Sequence, residues 1–203
     1  MGYKCYGALT ALMPTELPNV KMLEQIASTT PPFPHSWNGM CFGCSPRNVH
    51  GLLMSFWPLD GGCFSKYRVP EYFCGFDGVA YGGIVASVLD EVAAWAIITT
   101  MFNMVLTRKM EINFLKPVPT NVDLFPISLV THVNAKNVTT YSSIMNSEGL
   151  RLAEATGEFL VPPIRTIAKL TNNEEETLQK LHEQMVAPIK AYKASLKTTE
   201  KEG

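Results

Sequence analysis

Asp90 stands in the most apolar part of this sequence, where a carboxylate is costly unless it is paired or hydrogen-bonded. The residues from Gly82 to about Met101 are apolar on almost every side, which predicts a helix enclosed by other structure. Ser87, Asp90 and Glu91 lie near one another around this helix because of their spacing. Asp90 could be a structural carboxylate at a subunit interface, or a general base or nucleophile in a pocket between subunits. Glu91 points about 100° away, so we expect only one of the two to face a given substrate.

Two glycines open the predicted helix, directly after Tyr81. Backbone N–H groups at such a helix start can approach a ligand closely, and the helix dipole favours negative charge there. The oxyanion of an acyl carbonyl requires N–H groups of this kind, although a tight turn is the simpler reason for two glycines. Gly82 and Asp90 are about 12 Å apart along an unbroken helix. We therefore expect Asp90 of one subunit to meet the Gly82-Gly83 turn of a neighbour, which gives a two-fold dimer two sites.

Cys41 and Cys44 have the spacing of half a zinc site. A tetrahedral site needs two further ligands, and Cys63 and Cys74 form no second close pair. We therefore expect free thiols and no metal. The odd total of five cysteines, at irregular spacing, favours reduced thiols in a cytosol. The expected location is cytoplasmic.

Alternating apolar and polar segments precede and follow the predicted helix, as is typical of half-buried strands. The two upstream segments flank Asp60-Gly61-Gly62, which is a hairpin signal. Two strands, one buried helix and four strands that can pair as a meander predict an α+β fold, an antiparallel sheet curled around a central helix. The expected strands are Leu52–Trp57, Phe64–Val69, Leu106–Phe114, Asn121–Val133, Val138–Asn146 and Arg151–Val161.

Further helices are expected on both sides of this central part, which spans 41–163. Residues 1–40 contain a short predicted helix, Thr15–Ala27, and then an extended proline-rich connection. Residues 164–203 are predicted as a charged helix, with Asn173 and Glu176 as a capping pair. Pro188 is expected to break or kink this helix.

The overall charge is nearly balanced, with 17 Lys and Arg against 18 Asp and Glu and a net charge of −1. This balance argues against a nucleic acid or a polybasic membrane partner. The charge-free stretches around Asp90 are shorter than the roughly 20 residues that span a bilayer, so we expect no membrane span. The charge-poor central part is typical of a domain that buries surface against copies of itself. We expect a homodimer or a dimer of dimers, that is, a homotetramer.

Three motifs follow one another along the central part of the chain. The first runs from Cys41-Phe42-Gly43-Cys44 to Asn48 and Gly51-Leu52, the second is Tyr81-Gly82-Gly83 followed by Asp90, and the third runs from Met110 to Lys116-Pro117-Val118. Together they resemble the hotdog-fold acyl-CoA thioesterases of the phenylacetate-thioesterase-like branch, over roughly residues 41–162. The resemblance implies a hotdog fold. Tyr81 replaces the family's usual His, and Gly75 stands where many members carry an Asn.

The resemblance also implies roles for individual residues. Gly82 matches the glycine whose amide polarises the thioester carbonyl, Asp90 matches the catalytic carboxylate, and Thr107 matches a Ser or Thr that helps hold the attacking water. The remaining candidates are expected to bind substrate, and they are Tyr81, Gly83, Ser87 and Glu91.

The implied activity is hydrolysis of an acyl thioester, carried by coenzyme A or by a carrier protein, to free acid and thiol. Asp90 is the base or nucleophile in this reading, and the Gly82 amide binds the oxyanion. No metal or organic cofactor is expected, because coenzyme A enters as part of the substrate. The alternative is a non-catalytic hotdog module that binds an acyl or aromatic ligand in the same inter-subunit pocket. The replacement of the family His by Tyr81 motivates this alternative.

Overall fold

A six-stranded antiparallel sheet wraps around one long helix in this protein. The computed structural model describes residues 17–34 and 39–199 of the 203-residue chain. The predicted α+β fold, a curled sheet around a central helix, is confirmed. The helices are α1 (Val20–Thr29), α2 (Gly82–Met101), α3 (Ile164–Thr171) and α4 (Glu175–Thr199), and the strands are β1 (Trp57–Leu59), β2 (Gly62–Phe64), β3 (Cys74–Phe76), β4 (Val79–Ala80), β5 (Leu106–Phe114), β6 (Leu124–Asn134), β7 (Asn137–Asn146) and β8 (Arg151–Leu160).

The central helix α2 has the predicted bounds. Eleven of its 20 residues are buried, because the sheet covers it on several sides. By length and composition this helix could cross a membrane, but here it is the core helix of the fold. Phe102 ends it in the left-handed conformation, with its N–H bonded to the carbonyl of Ile98.

The order of strands in the sheet is β1-β2-β6-β7-β8-β5. The prediction that the four later strands pair as a simple meander is wrong, because β5 does not lie next to β6. Among the strands of the described residues, β5 lies at the edge of the sheet and pairs with β8, the last strand. The cause is the connection between β5 and β6, which bonds to the segment before α2 through Thr120 N to Gly78 O and Asn121 N to Val69 O. The next strand, β6, therefore pairs with β2 and not with β5. The last strand, β8, pairs with β5.

The predicted hairpin at Asp60-Gly61-Gly62 is present, with shorter strands than expected. Gly61 has a φ of 68°, which is the left-handed region that glycine favours. A Cβ at Gly62 would lie 2.1 Å from the carbonyl oxygen of Ser128, so the close pairing of β2 with β6 requires glycine. Residues 52–56, predicted as part of a strand, form an irregular segment in which Leu53 has a left-handed backbone with a φ of 54°. β3 and β4 form a small second sheet just before α2, which the sequence pattern did not indicate.

The terminal segments pack on the central unit. Asn19 caps α1, which begins later than predicted, and the expected start at Thr15 lies outside the described residues. The C-terminal part contains two helices instead of one, because Asn172 ends α3 in the left-handed conformation. α4 runs through Pro188 without the predicted break. The Tyr192 hydroxyl donates to the carbonyl of Pro31, which joins α4 to the connection after α1.

An aromatic cluster fills the core beside α2. Phe33, Phe56 and Trp95 are fully buried, and the Trp95 ring lies 5.0 Å from Phe33 and 5.2 Å from Phe56 between centroids. Trp95 stands one helical turn after Glu91, so this packing also fixes the indole N–H that faces the Glu91 carboxylate.

Candidate functional site

A side chain on the neighbouring strand holds Asp90. The Thr107 hydroxyl, at the start of β5, donates to Oδ1 of Asp90 over 2.8 Å. Burial raises the pKa of Asp90, and the bond from Thr107 partly opposes that rise. A carboxylate with a raised pKa is a stronger base than an ordinary aspartate, which suits it to take a proton from water.

The start of α2 presents backbone N–H groups that the helix does not use. Tyr81 is the N-cap residue, and no side chain caps this end. The carbonyl of Tyr81 accepts from Ile84 and Val85, whereas the amides of Gly82 and Gly83 have no acceptor within residues 17–34 and 39–199. These two N–H groups are therefore open to an anion or an oxyanion.

Tyr81 itself is 61% exposed. Its ring covers Gly83, because a Cβ at Gly83 would lie 2.5 Å from Cε1 of the tyrosine. Ser87 is engaged with the same turn, since its hydroxyl donates to the carbonyl of Gly83 over 2.9 Å. The predicted substrate-binding residues Tyr81, Gly83 and Ser87 thus lie together around the first turns of the helix.

A cleft of about 230 Å³ opens beside α2. It brings Ser87, Asp90 and Glu91 together, so both carboxylates line it although they differ in direction around the helix. The opposite wall is the turn of Cys41, Phe42 and Gly43. Sequence reasoning placed these residues in a motif but gave them no place in the site. Gly82 is not among the lining residues of this cleft.

Glu91 lies against the N-terminal loop, the turn formed by residues 41–44. Trp95 Nε1 donates to Oε1 of Glu91 over 2.9 Å, and Sγ of Cys41 lies 3.6 Å from Oε1 and 3.5 Å from Oε2. A Cβ at Gly43 would lie 2.2 Å from the carboxyl group, so only glycine leaves room for it. Burial, and then the charge of Cys41, raise the pKa of Glu91 to about 8.

The two thiols of the Cys41–Cys44 turn join this carboxylate in one cluster. Their sulfur atoms and a carboxylate oxygen of Glu91 all lie within 4.8 Å of one another. Hydrogen bonds from the Cys44 thiol and from the N–H groups of Cys44 and Gly43 lower the pKa of Cys41 to about 5 against the effect of burial. Burial raises the pKa of Cys44. The cluster escaped sequence reasoning because 47 residues separate Cys44 from Glu91. The sequence did contain one signal for this cluster. It has a carboxylate in an apolar helix and a Cys-x-x-Cys pair, and neither has further ligand residues nearby in the sequence.

Large exposed aromatic side chains stand at the helix start, on the segment before it and at the end of β5. Phe114, at the end of β5, lies close to Gly82, since a Cβ there would be 3.7 Å from its ring. An apolar patch of this kind indicates a surface that another molecule covers. Its members are Tyr72, Phe76, Tyr81 and Phe114, which are 57–82% exposed.

This architecture is similar to that of known thioesterases. A family model described as the thioesterase superfamily matches residues 77–153, which contain the helix start, Asp90 and Thr107. The resemblance to the hotdog-fold thioesterases is confirmed. No curated protein sequence gives a significant match.

Solved structures share the fold at low identity. A phenylacetic acid degradation-related protein from Ralstonia eutropha has a TM-score of 0.52 and 20% identity, over 59% of this chain and 92% of that protein. The PaaI protein of the E. coli phenylacetic acid degradation operon has a TM-score of 0.51 and 18% identity, over 55% and 81%. A thioesterase protein of Streptococcus pneumoniae, solved with coenzyme A, has a TM-score of 0.50 and 21% identity, over 54% and 85%. At this identity the likeness shows the hotdog fold, in agreement with the sequence prediction.

We predict that iodoacetamide modifies Cys41 before Cys44 at about pH 7, because hydrogen bonds lower the pKa of Cys41 to about 5 whereas burial raises the pKa of Cys44. Timed alkylation in the presence of a metal chelator, with the modified peptides identified by mass spectrometry, measures the order. Cys44→Ala should slow the reaction at Cys41, since it removes the largest stabilisation of the thiolate.

Cys74→Ala is the matched control, because Cys74 is another partly buried free thiol, outside the cluster. It should leave the rate at Cys41 unchanged. Faster modification of Cys44 than of Cys41, or an unchanged rate in Cys44→Ala, would contradict the assignment of the acidic thiol.

Proposed function

We propose that this protein hydrolyses an acyl thioester to a free acid and a thiol, with Asp90 as the base or nucleophile. The observation that carries the proposal is the pair of Asp90 and Thr107 beside the cleft, in which a partly desolvated carboxylate is oriented by one hydroxyl donor. The match of residues 77–153 to the thioesterase superfamily supports thioester hydrolysis in general.

In the proposed reaction Asp90 takes a proton from a water that the Thr107 hydroxyl helps to position. The hydroxide attacks the carbonyl carbon, and the carbonyl oxygen becomes an oxyanion beside the Gly82 amide. Collapse of this intermediate breaks the carbon–sulfur bond, and the thiolate leaves with the proton returned from Asp90. As a nucleophile, Asp90 would instead attack the carbonyl carbon and displace the thiolate, which takes a proton from solvent, and water would then hydrolyse the resulting anhydride to release the acid.

The Gly82 amide that serves Asp90 comes from a second copy of the chain in this proposal. Eight residues of helix separate the two, which is about 12 Å and too far for one substrate carbonyl. The exposed aromatic patch around the helix start and the free edge of β5 offer apolar and backbone surface for such a partner. A homodimer, or a dimer of dimers, would cover this surface and create two identical sites.

Coenzyme A is the proposed thiol carrier, and it enters as part of the substrate. The pneumococcal protein of the same fold was solved with coenzyme A, and two further structures of it carry an Asp→Ala and a Thr→Ala substitution. An aspartate and a threonine are also the residues paired here. The proposed chemistry uses no organic cofactor, and the proposed location is the cytoplasm, as the reduced thiols favour.

One observation favours the alternative of a binding module without turnover. The exposed Tyr81 ring covers Gly83 at the place where the family carries an imidazole. A flat aromatic ring there can stack on a planar acyl group without activating it. Such a module would be stabilised by the ligand and would release no thiol.

Release of thiol from a panel of short, long and aromatic acyl-CoA thioesters tests the function. We expect turnover of at least one of them, and Asp90→Asn should lower it by about 10²-fold or more, because an amide cannot take the proton. Asp60→Asn, on an exposed turn residue, is the matched control and should be unaffected. Thermal stabilisation by an acyl-CoA without thiol release would favour the binding module.

Thr107→Val should move the acid limb of the kcat/KM profile to higher pH. Asp90 must be ionised to act, the hydrogen bond from Thr107 lowers the pKa of Asp90, and valine removes that bond. Thr107→Ser retains a hydroxyl and should keep the parent's profile. Initial rates at subsaturating substrate across the acid range measure the limb, and a shift to lower pH would reverse the assigned role of Thr107.

Gly82→Pro tests the oxyanion amide by removing its N–H and little else. Gly82 is the first residue of α2, where proline is tolerated, and Tyr81 already has the extended backbone that suits the residue before a proline. We expect activity to fall by about 10²-fold to 10³-fold with folding intact. Gly82→Ala keeps the N–H, and its Cβ would meet only Phe114 at an ordinary 3.7 Å, so it should retain activity.

Mixing the Gly82→Pro and Asp90→Asn chains tests whether two copies share a site. If subunits assort at random, half of the dimers contain one chain of each kind, and each of these has one intact site. Refolding the two variants together should therefore restore about a quarter of the parent's activity. A site built within one chain would show no recovery, and light scattering at the 22.5 kDa of one chain would exclude the dimer itself.

A further inference from the structure

We propose that Cys41, Cys44 and Glu91 bind a zinc ion at the wall of the cleft. Sequence spacing offered only the two thiols, and the fold supplies the carboxylate as a third ligand. The site does not depend on thioester hydrolysis, because neither Asp90 nor Gly82 takes part in it.

The spacing of the ligand atoms fits one tetrahedral ion. Zinc lies about 2.3 Å from a thiolate sulfur and about 2.1 Å from a carboxylate oxygen, so two such ligands of one tetrahedral ion are about 3.6 Å apart. Sγ of Cys41 lies 3.6 Å and 3.5 Å from the two carboxylate oxygens of Glu91. The sulfur of Cys44 lies within 4.8 Å of both ligands, so small side-chain rotations complete the triad.

The Cys41–Cys44 turn is held in place by main-chain bonds independent of any ion. Ser45 N donates to the carbonyl of Cys41, Leu52 N to that of Phe42, and Met54 N to that of Gly43. Gly43, which has no side chain, lets the Glu91 carboxylate approach the turn. A preformed loop and a rigid helix therefore bring the two thiols and the carboxylate together before any metal binds. Such preorganisation reduces the entropy cost of metal binding.

A further group orients the carboxylate as in known metal sites. The Trp95 indole donates to Oε1 of Glu91 over 2.9 Å, which leaves Oε2, 3.5 Å from the sulfur of Cys41, to bind the metal. Trp95 is fixed by stacking against Phe56 in the core. Ligating carboxylates commonly carry such an outer hydrogen bond, and its loss weakens metal binding.

The donor set selects zinc among the common biological cations. Two thiolates are soft ligands that magnesium and calcium avoid, whereas zinc accepts sulfur and oxygen together. Cys41 and Glu91 line the cleft, so the fourth position of the ion faces solvent. The ion would also place positive charge among three groups that are anionic when they bind it, and it would join the N-terminal loop to α2 one residue after Asp90.

The test is zinc binding by the full chain after treatment with a chelator and a non-thiol reductant. On addition of zinc chloride and removal of the excess by gel filtration, we expect one zinc per chain by elemental analysis. Cobalt(II) in place of zinc should give the ligand-to-metal charge-transfer absorption of thiolate coordination, which reports on the sulfur ligands directly. Zinc should also protect Cys41 from iodoacetamide.

Variants separate this site from adventitious thiol binding. Cys41→Ser and Glu91→Gln should each weaken zinc affinity by on the order of 10²-fold or more, and Trp95→Phe, which keeps an aromatic ring in the core, by about 10-fold to 100-fold. Cys74→Ser and Asp90→Asn should bind zinc as the parent does. Far-ultraviolet circular dichroism and the unfolding midpoint of each apo variant show that it is folded.

Two outcomes overturn the proposal. The first is a parent chain that retains less than about a tenth of a zinc per chain at every zinc concentration tested. The second is zinc binding that Cys74→Ser lowers as much as Cys41→Ser, or that Glu91→Gln leaves unchanged. Neither outcome bears on thioester hydrolysis, which Asp90→Asn tests separately.

Discussion

The structure depends on the desolvation of two adjacent carboxylates in an otherwise apolar helix. α2 can fill the core of the sheet only if Asp90 and Glu91 find polar partners where the helix is covered. Thr107 on β5 donates a hydrogen bond to Asp90. Trp95 and the Cys41–Cys44 turn provide the polar contacts of Glu91. The need to satisfy these groups therefore fixes which strand and which loop lie against that side of the helix. It also gives both groups a raised pKa, which ordinary surface carboxylates do not have.

The parts of the fold that follow from local chemistry could be predicted from the sequence. The apolar run after Gly82 sets the bounds of α2, and the alternation of residues sets the whole of β5 and the start of β8. The position of β5 at the sheet edge could not be predicted, because it depends on how residues 115–123 bond to the segment before the helix. The division of the C-terminal part into α3 and α4 depends on one left-handed residue, Asn172. The helical repeat of apolar residues does not predict that conformation.

The candidate site divides in the same way. Asp90 and the glycines were recognisable because a charged residue in an apolar helix and a Gly-Gly helix start are both unusual in sequence. The contact between Asp90 and Thr107 joins residues 17 apart through a bend in the chain. The family resemblance pointed to Thr107 as a site residue, but not to this contact. Glu91 and the thiols are linked across half the hotdog unit, and no periodicity carries information over that distance. The acidic thiol and its carboxylate partner thus came from the structure alone.

The turn of Cys41, Phe42 and Gly43 lies outside residues 77–153, the part that matches the superfamily, yet it forms the wall opposite Asp90. Asp90 and the surface that faces it therefore lie in different stretches of the chain, one inside the matched part and one before it. The side chain of Phe42 lines the cleft, so an exchange there can reshape the cleft and leave the contacts of Cys41, Cys44 and Gly43 with Glu91 in place. The size and polarity of the residue at this position can therefore set which ligands the cleft accepts, while the sheet and the helix that hold Asp90 stay as they are.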